Sequence, residues 1–179
     1  MFRYDFPSSP QKLETLLAQS AIDASLFLPF TIFRLRSYAV NQQTELTVSL
    51  YEPDTETPQT HTLHLTWDSS SDTLTTPPIQ SHTITEWAAC GIALAIVPLY
   101  TSYQVLEVAR IGERFDYWLG HSVREVGLEI SGTIEGDLAL RTKVKQNQLK
   151  RNPYKSAGYV CVVGFEKQQV RLSFSESEV

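Results

Sequence analysis

Apolar and polar positions change period several times along this chain. Leu13, Leu16, Leu17 and Ile22 recur at helical spacing and predict a helix over residues 12–24. Residues 25–37 are apolar almost throughout, with Phe27, Phe30, Ile32, Phe33 and Leu35, and their aromatic and β-branched content predicts a strand. Residues 45–51 alternate, with Leu46, Val48 and Leu50 on one side and Glu45, Thr47 and Ser49 on the other. Residues 60–67 alternate too, through Leu63, Leu65 and Trp67. Turn-forming residues at 53–58 separate the two, so residues 25–67 read as a small antiparallel sheet, half exposed. Residues 68–81 are rich in Ser, Thr, Pro and Asp and read as a linker.

The second half opens with a long apolar helix from Thr83 to about Leu99. Strands follow over 103–110, 114–119 and 125–131, with turns at Ile111-Gly112-Glu113 and Gly120-His121-Ser122. Asp137 can cap a helix that runs to about Arg151 and is ended by Asn152-Pro153. A fully apolar run at 158–165 predicts a central strand, and the alternating run at 169–175 predicts one nearer an edge. The expected fold is therefore mixed α+β and α/β. An N-terminal helix with an antiparallel β element (1–80) packs with a C-terminal αβββαβ core (83–175), followed by an acidic tail (176–179).

Composition adds little to this except through charge. The chain has 179 residues, 42% hydrophobic and 20% charged, which is ordinary for a soluble globular protein. Cys90 and Cys161 sit in apolar runs and read as free buried thiols in a reducing cytoplasm. The apolar run from Trp87 to Tyr100, about 14 residues, is short for a bilayer span, and no membrane role is expected. Net charge is −5, yet residues 136–151 hold Arg141, Lys143, Lys145, Lys150 and Arg151 against Asp137 alone. That basic stripe is the expected contact for nucleic-acid phosphates; a merely solvated helix face reads the same way.

Two acids lie inside apolar strands, Asp116 in Arg-Phe-Asp-Tyr-Trp-Leu-Gly and Glu129 in Val-Gly-Leu-Glu-Ile-Ser-Gly. A buried carboxylate is costly without a partner, so two on successive strands point to a shared cation. The αβββαβ order with these two acids resembles the PD-(D/E)xK nuclease superfamily, over about half the chain. The resemblance implies that Asp116 and Glu129 bind Mg²⁺ or Mn²⁺ and that the activity is phosphodiester hydrolysis, with DNA the expected substrate at helix 137–151. The family places a lysine two residues after the Glu; here Ser131 stands there.

Some members of that family supply the lysine from the following helix. Helical phase groups Leu140, Val144, Arg141, Lys145, Gln148, Leu138 and Leu149 on one half of that helix, expected to face the sheet. Lys145 is therefore the expected substitute, catalytic with Asp116 and Glu129. Arg141, Gln148 and Ser131 are the expected phosphate-binding groups. Glu86 reads in two ways, as a metal-side acid or as the end of a Thr83-x-x-Glu86 capping box. Asp116 and Glu129 have a second reading as well, an ion pair with Arg141 or Lys145 that ties helix to sheet. Tyr117 and Trp118 read as sheet packing or as stacking groups for an unpaired base. A metal-dependent nuclease is the first functional expectation. A nuclease-fold subunit without chemistry, docking a protein partner or a second copy through the N-terminal sheet, is the alternative. A third is an inhibitor whose acidic residues 1–84 mimic nucleic acid.

Overall fold

The structure, a computed structural model, describes residues 7–53, 55, 57–75 and 79–177. In chain order the elements are β1 (Gln11–Lys12), α1 (Leu13–Ala18), α2 (Leu28–Leu35), β2 (Gln43–Tyr51), β3 (Gln59–Thr66) and α3 (Ser81–Tyr100). Then come β4 (Gln104–Val108), β5 (Tyr117–Gly120), β6 (Val126–Thr133), α4 (Leu138–Lys150), β7 (Gly158–Gly164) and β8 (Gln169–Ser175). The strands form one mixed sheet in the order β1-β3-β2-β8-β7-β6-β5-β4.

The second half follows the expected order. Strands β4, β5 and β6 are an antiparallel meander, α4 crosses over to β7 parallel to β6, and β8 returns antiparallel. The N-terminal hairpin joins the same sheet. Strand β2 runs parallel to β8, with Val48 opposite Val170 and Leu50 opposite Leu172. So β8 is an interior strand and not the near-edge strand expected. Its alternation reports how its two faces are covered, which says nothing about its lateral neighbours. Of the expected turn between β2 and β3, Asp54 and Glu56 lie outside the described residues, as do Glu178 and Val179 of the tail.

Helices α1, α2 and α3 cover one face of the sheet and α4 part of the other. Strand β7 shows the division residue by residue. Cys161 and Val163 join the large core with Ile92 and Ile96 of α3, while Val160 and Val162 pack with Leu138 and Leu149 of α4. Helix α3 is longer than its apolar run suggested, with the length and mean hydropathy (1.4) of a membrane span, but 67% of that stretch is buried within the fold.

Residues 25–37 are not a strand. They form α2 with a 3₁₀ turn at each end. Thr31, Ile32 and Leu35 are buried at helical spacing, and Pro29 sits in the first turn, where its missing N–H costs nothing. The packing surface that selects the helix is α3. Thr31 Oγ1 donates to Phe27 O (2.9 Å) and to Ala88 O (3.3 Å) across the interface. Gly91 makes the approach possible, since a Cβ there would lie 2.0 Å from Thr31 Oγ1. Helix α1 is also shorter than expected, ending at Ala18.

Candidate active site

Strand β6 outruns its neighbour β5, and this decides where the acids go. The paired residues end at Tyr117 opposite Leu128, with one further bond from Asp116 N to Leu128 O (2.9 Å). Beyond that point the β6 amides on this edge have no strand to bond. Carboxylates take the place of a strand. Asp116 Oδ2 accepts from Ile130 N at 2.7 Å, and Glu86 Oε2 accepts from Gly132 N at 2.9 Å. Glu86 is therefore not a helix cap: α3 begins at Ser81 after Gln80, with no side-chain cap, and its second turn brings Glu86 to the β6 edge. Gly132 permits this contact, because a Cβ there would fall 2.5 Å from Thr85 O.

Glu129 and Ser131 point from β6 toward α4. Helix α4 is capped as expected, with Asp137 Oδ1 accepting from Ala139 N (2.8 Å) and Leu140 N (3.1 Å). Its residues Lys145 and Arg141, one turn apart, meet Glu129 and Ser131 in turn. Lys145 Nζ lies 2.5 Å from Glu129 Oε1 and 3.4 Å from Gln148 Oε1. Arg141 Nη1 donates to Ser131 Oγ at 3.0 Å and lies 3.9 Å from Glu86 Oε1, and Ser131 Oγ donates to Glu86 Oε1 at 3.3 Å. All seven sequence-predicted residues thus belong to one constellation of three acids, two cations, Ser131 and Gln148.

The predicted phase of α4 needs correction. Leu138, Thr142 and Leu149 are its buried residues, whereas Leu140 (63% exposed) and Val144 (57%) face out. Lys145 occupies the inner stripe between Thr142 and Leu149, with its stem inside and its ammonium on Glu129. The helix carries so few apolar residues that Leu140 and Val144 drew the inferred face round by about a quarter turn. Tyr117 and Trp118 are both buried, at 6% and 4% exposure, so neither is a stacking surface.

Burial sets the electrostatics. The Glu129 side chain is only 2% exposed. Its carboxyl is raised from 4.5 to about 7, first by burial and then by the charge of Asp116, against the pull of Lys145. Asp116 is raised too, chiefly by burial, and is held down by the Ile130 amide and by Lys145. Cys90, one turn after Glu86, is pushed up to about 12 by burial and by Asp116, and stays a thiol. His82, Glu86 and Cys90 recur every four residues along α3, a helical spacing that is visible in the sequence.

Two clefts border this group. One, of about 510 Å³, is lined by Ser81, His82, Thr85, Glu86 and Arg141 among others. The second, of about 370 Å³, is lined by Gly136, Asp137, Leu140, Arg141, Val144 and Lys145. Arg141 stands between them. Another buried carboxylate, Glu113, lies apart from this group. It accepts from Arg110 N (2.6 Å), Trp118 Nε1 (3.0 Å) and Tyr154 Oη (2.8 Å), a fully partnered structural latch.

Among the described residues, no three His, Cys, Asp or Glu side chains come together as a ready-made metal cage. The donor set is a pair of carboxylates, Asp116 just before β5 and Glu129 on β6, and Glu129 Oε2 is buried without a hydrogen-bond partner. Such a set fits Mg²⁺ or Mn²⁺, which take one or two carboxylates and keep water or substrate oxygens for the rest. It does not fit structural zinc, which wants four protein ligands. Compared with family models, curated proteins and solved structures, the chain matches none.

Proposed function

We propose that this protein is a metal-dependent phosphodiester hydrolase acting on nucleic acid, with a core of restriction-endonuclease type. The observation that carries the reading is the unpartnered, buried Oε2 of Glu129, on the strand beside Asp116 and with Lys145 reaching in from the next helix. Asp116 and Glu129 would hold the ion, and Glu86 adds negative potential from α3. When bound, a divalent ion would lower the pKa of an attacking water and offset charge on the scissile phosphate. Arg141, held at Ser131 between the two clefts, is placed to bind a phosphate oxygen. Lys145, held at Glu129, would be the group to orient that water, a role that Ser131 cannot fill for want of charge. Burial of Glu129 keeps bulk water from its carboxylate and would strengthen each of these interactions.

A second reading is favoured by one specific contact. The Lys145–Glu129 pair already ties α4 to β6, and Asp116 and Glu86 already satisfy backbone amides. On that reading the chain is a nuclease-fold subunit without chemistry, docking a protein partner or a second copy.

The test is cleavage of single- and double-stranded DNA and of RNA with Mg²⁺ or Mn²⁺. Wild type is expected to cleave at least one, and Asp116→Asn to lower the rate by about a hundredfold or more at unchanged fold. Equal rates in wild type and variant, or none with any substrate and ion, would leave the non-enzymatic reading.

A further inference from the structure

We infer that Lys145 is a built-in competitor of the metal ion, so that the site at rest is closed by its own ammonium. This inference rests on the metal-binding reading above. Glu129 has two carboxylate oxygens in a pocket almost closed to solvent, with 2% of its side chain exposed. One of them, Oε1, carries Lys145 Nζ at 2.5 Å. The other, Oε2, is buried and unpartnered. An ion bound to Oε2 would share one carboxylate with a second cation, in surroundings that screen their repulsion poorly. Full use of Glu129 by the ion therefore needs Lys145 to withdraw.

The structure provides where it would go. Gln148 Oε1 lies 3.4 Å from Nζ on the same helix, and the Lys145 side chain, 24% exposed, borders the cleft beside Leu140 and Val144. An ammonium on a flexible four-carbon stem can make this short move without disturbing the helix. The other charged groups at the site are Asp116, Glu86 and Arg141. Arg141 is engaged by Ser131 and Glu86, which leaves Lys145 as the cation placed directly on Glu129.

The experiment is calorimetric titration of the whole chain with Mn²⁺ alone, at one pH above 7.5. The proteins are wild type, Lys145→Met, Lys145→Gln, Lys145→Arg and Glu129→Gln. Removing the charge while keeping the stem is expected to tighten Mn²⁺ binding by about tenfold or more, in Met and Gln variants alike. Lys145→Arg, which keeps the charge, is expected to bind like wild type, and Glu129→Gln to lose binding. A thermal-shift series with Mn²⁺ reads the same order if either neutral variant is too unstable for calorimetry. Equal or weaker binding by both neutral variants, with wild type binding, would overturn the competitor role and leave the metal site standing. No binding by any variant would overturn both.

Discussion

At the scale of the residue, Glu129 is the position with the largest consequence. Its carboxyl is raised from 4.5 to about 7 because burial and the neighbouring Asp116 disfavour its charge more than Lys145 favours it. The folded protein therefore holds this proton more tightly than the unfolded chain does. Between pH 4.5 and 7 the folded state binds more protons, so stability from this group falls as pH rises through that window. Urea denaturation of wild type and Glu129→Gln at pH 5 and pH 8 checks it. The two are expected to be similar at pH 5, with wild type losing stability relative to the variant at pH 8. The opposite order at pH 8 would mean that the Lys145 pair outweighs the burial. Asp116, Glu129 and Lys145 were legible as candidates because charge inside apolar periodicity stands out. The hydrogen bonds of Asp116 and Glu86 to β6 amides were not, because they arise from β5 stopping short, which only the pairing register shows.

At the scale of the element, α4 separates pattern from packing. Apolar phase placed Leu138, Leu140, Val144 and Leu149 inside; the structure keeps Leu138 and Leu149 there, adds Thr142, and turns Leu140 and Val144 out. Leu149→Ala is expected to cost about 3 kcal/mol, since it empties a fully enclosed site between α4 and β7. The pair Leu140→Lys and Val144→Lys is expected to change stability by less than about 0.5 kcal/mol, because both face solvent. Chemical denaturation of the two variants gives the answer directly. A large cost for the lysine pair would restore the face inferred from sequence. Residues 25–37 make the same point in reverse. Aromatic and β-branched composition argued for a strand, and contact with α3 through Thr31 and Gly91 selected a helix.

At the scale of the whole molecule, the parallel pairing of β2 with β8 makes the N-terminal hairpin part of the same sheet as the candidate site. Both halves also share one apolar core, in which Leu63 and Leu65 of the hairpin join Leu128 and Ile130 of the site strand. A single cooperative unfolding transition is expected. Trp67 follows β3 and Trp118 lies in β5, both buried, so they report on opposite ends of the sheet. Variants keeping only one of these tryptophans, the rest replaced by Phe, are expected to give coincident urea midpoints by fluorescence. Two separated midpoints would show that the hairpin unfolds by itself.

Sequence alone determined the order of the C-terminal elements, the Asp137 cap, the alternation of β2 and β3, and the presence of Asp116, Glu129 and a cation on the following helix. Each of these rests on local periodicity or on the chemistry of one residue against its immediate neighbours. Tertiary structure decided the rest. The helical state of residues 28–35, the interior place of β8, the facing of α4 and the turn of Glu86 toward β6 each depend on which surface arrives from a distant part of the chain. A sequence period reports which face of an element is apolar; the partner that covers that face is set by packing across the whole fold.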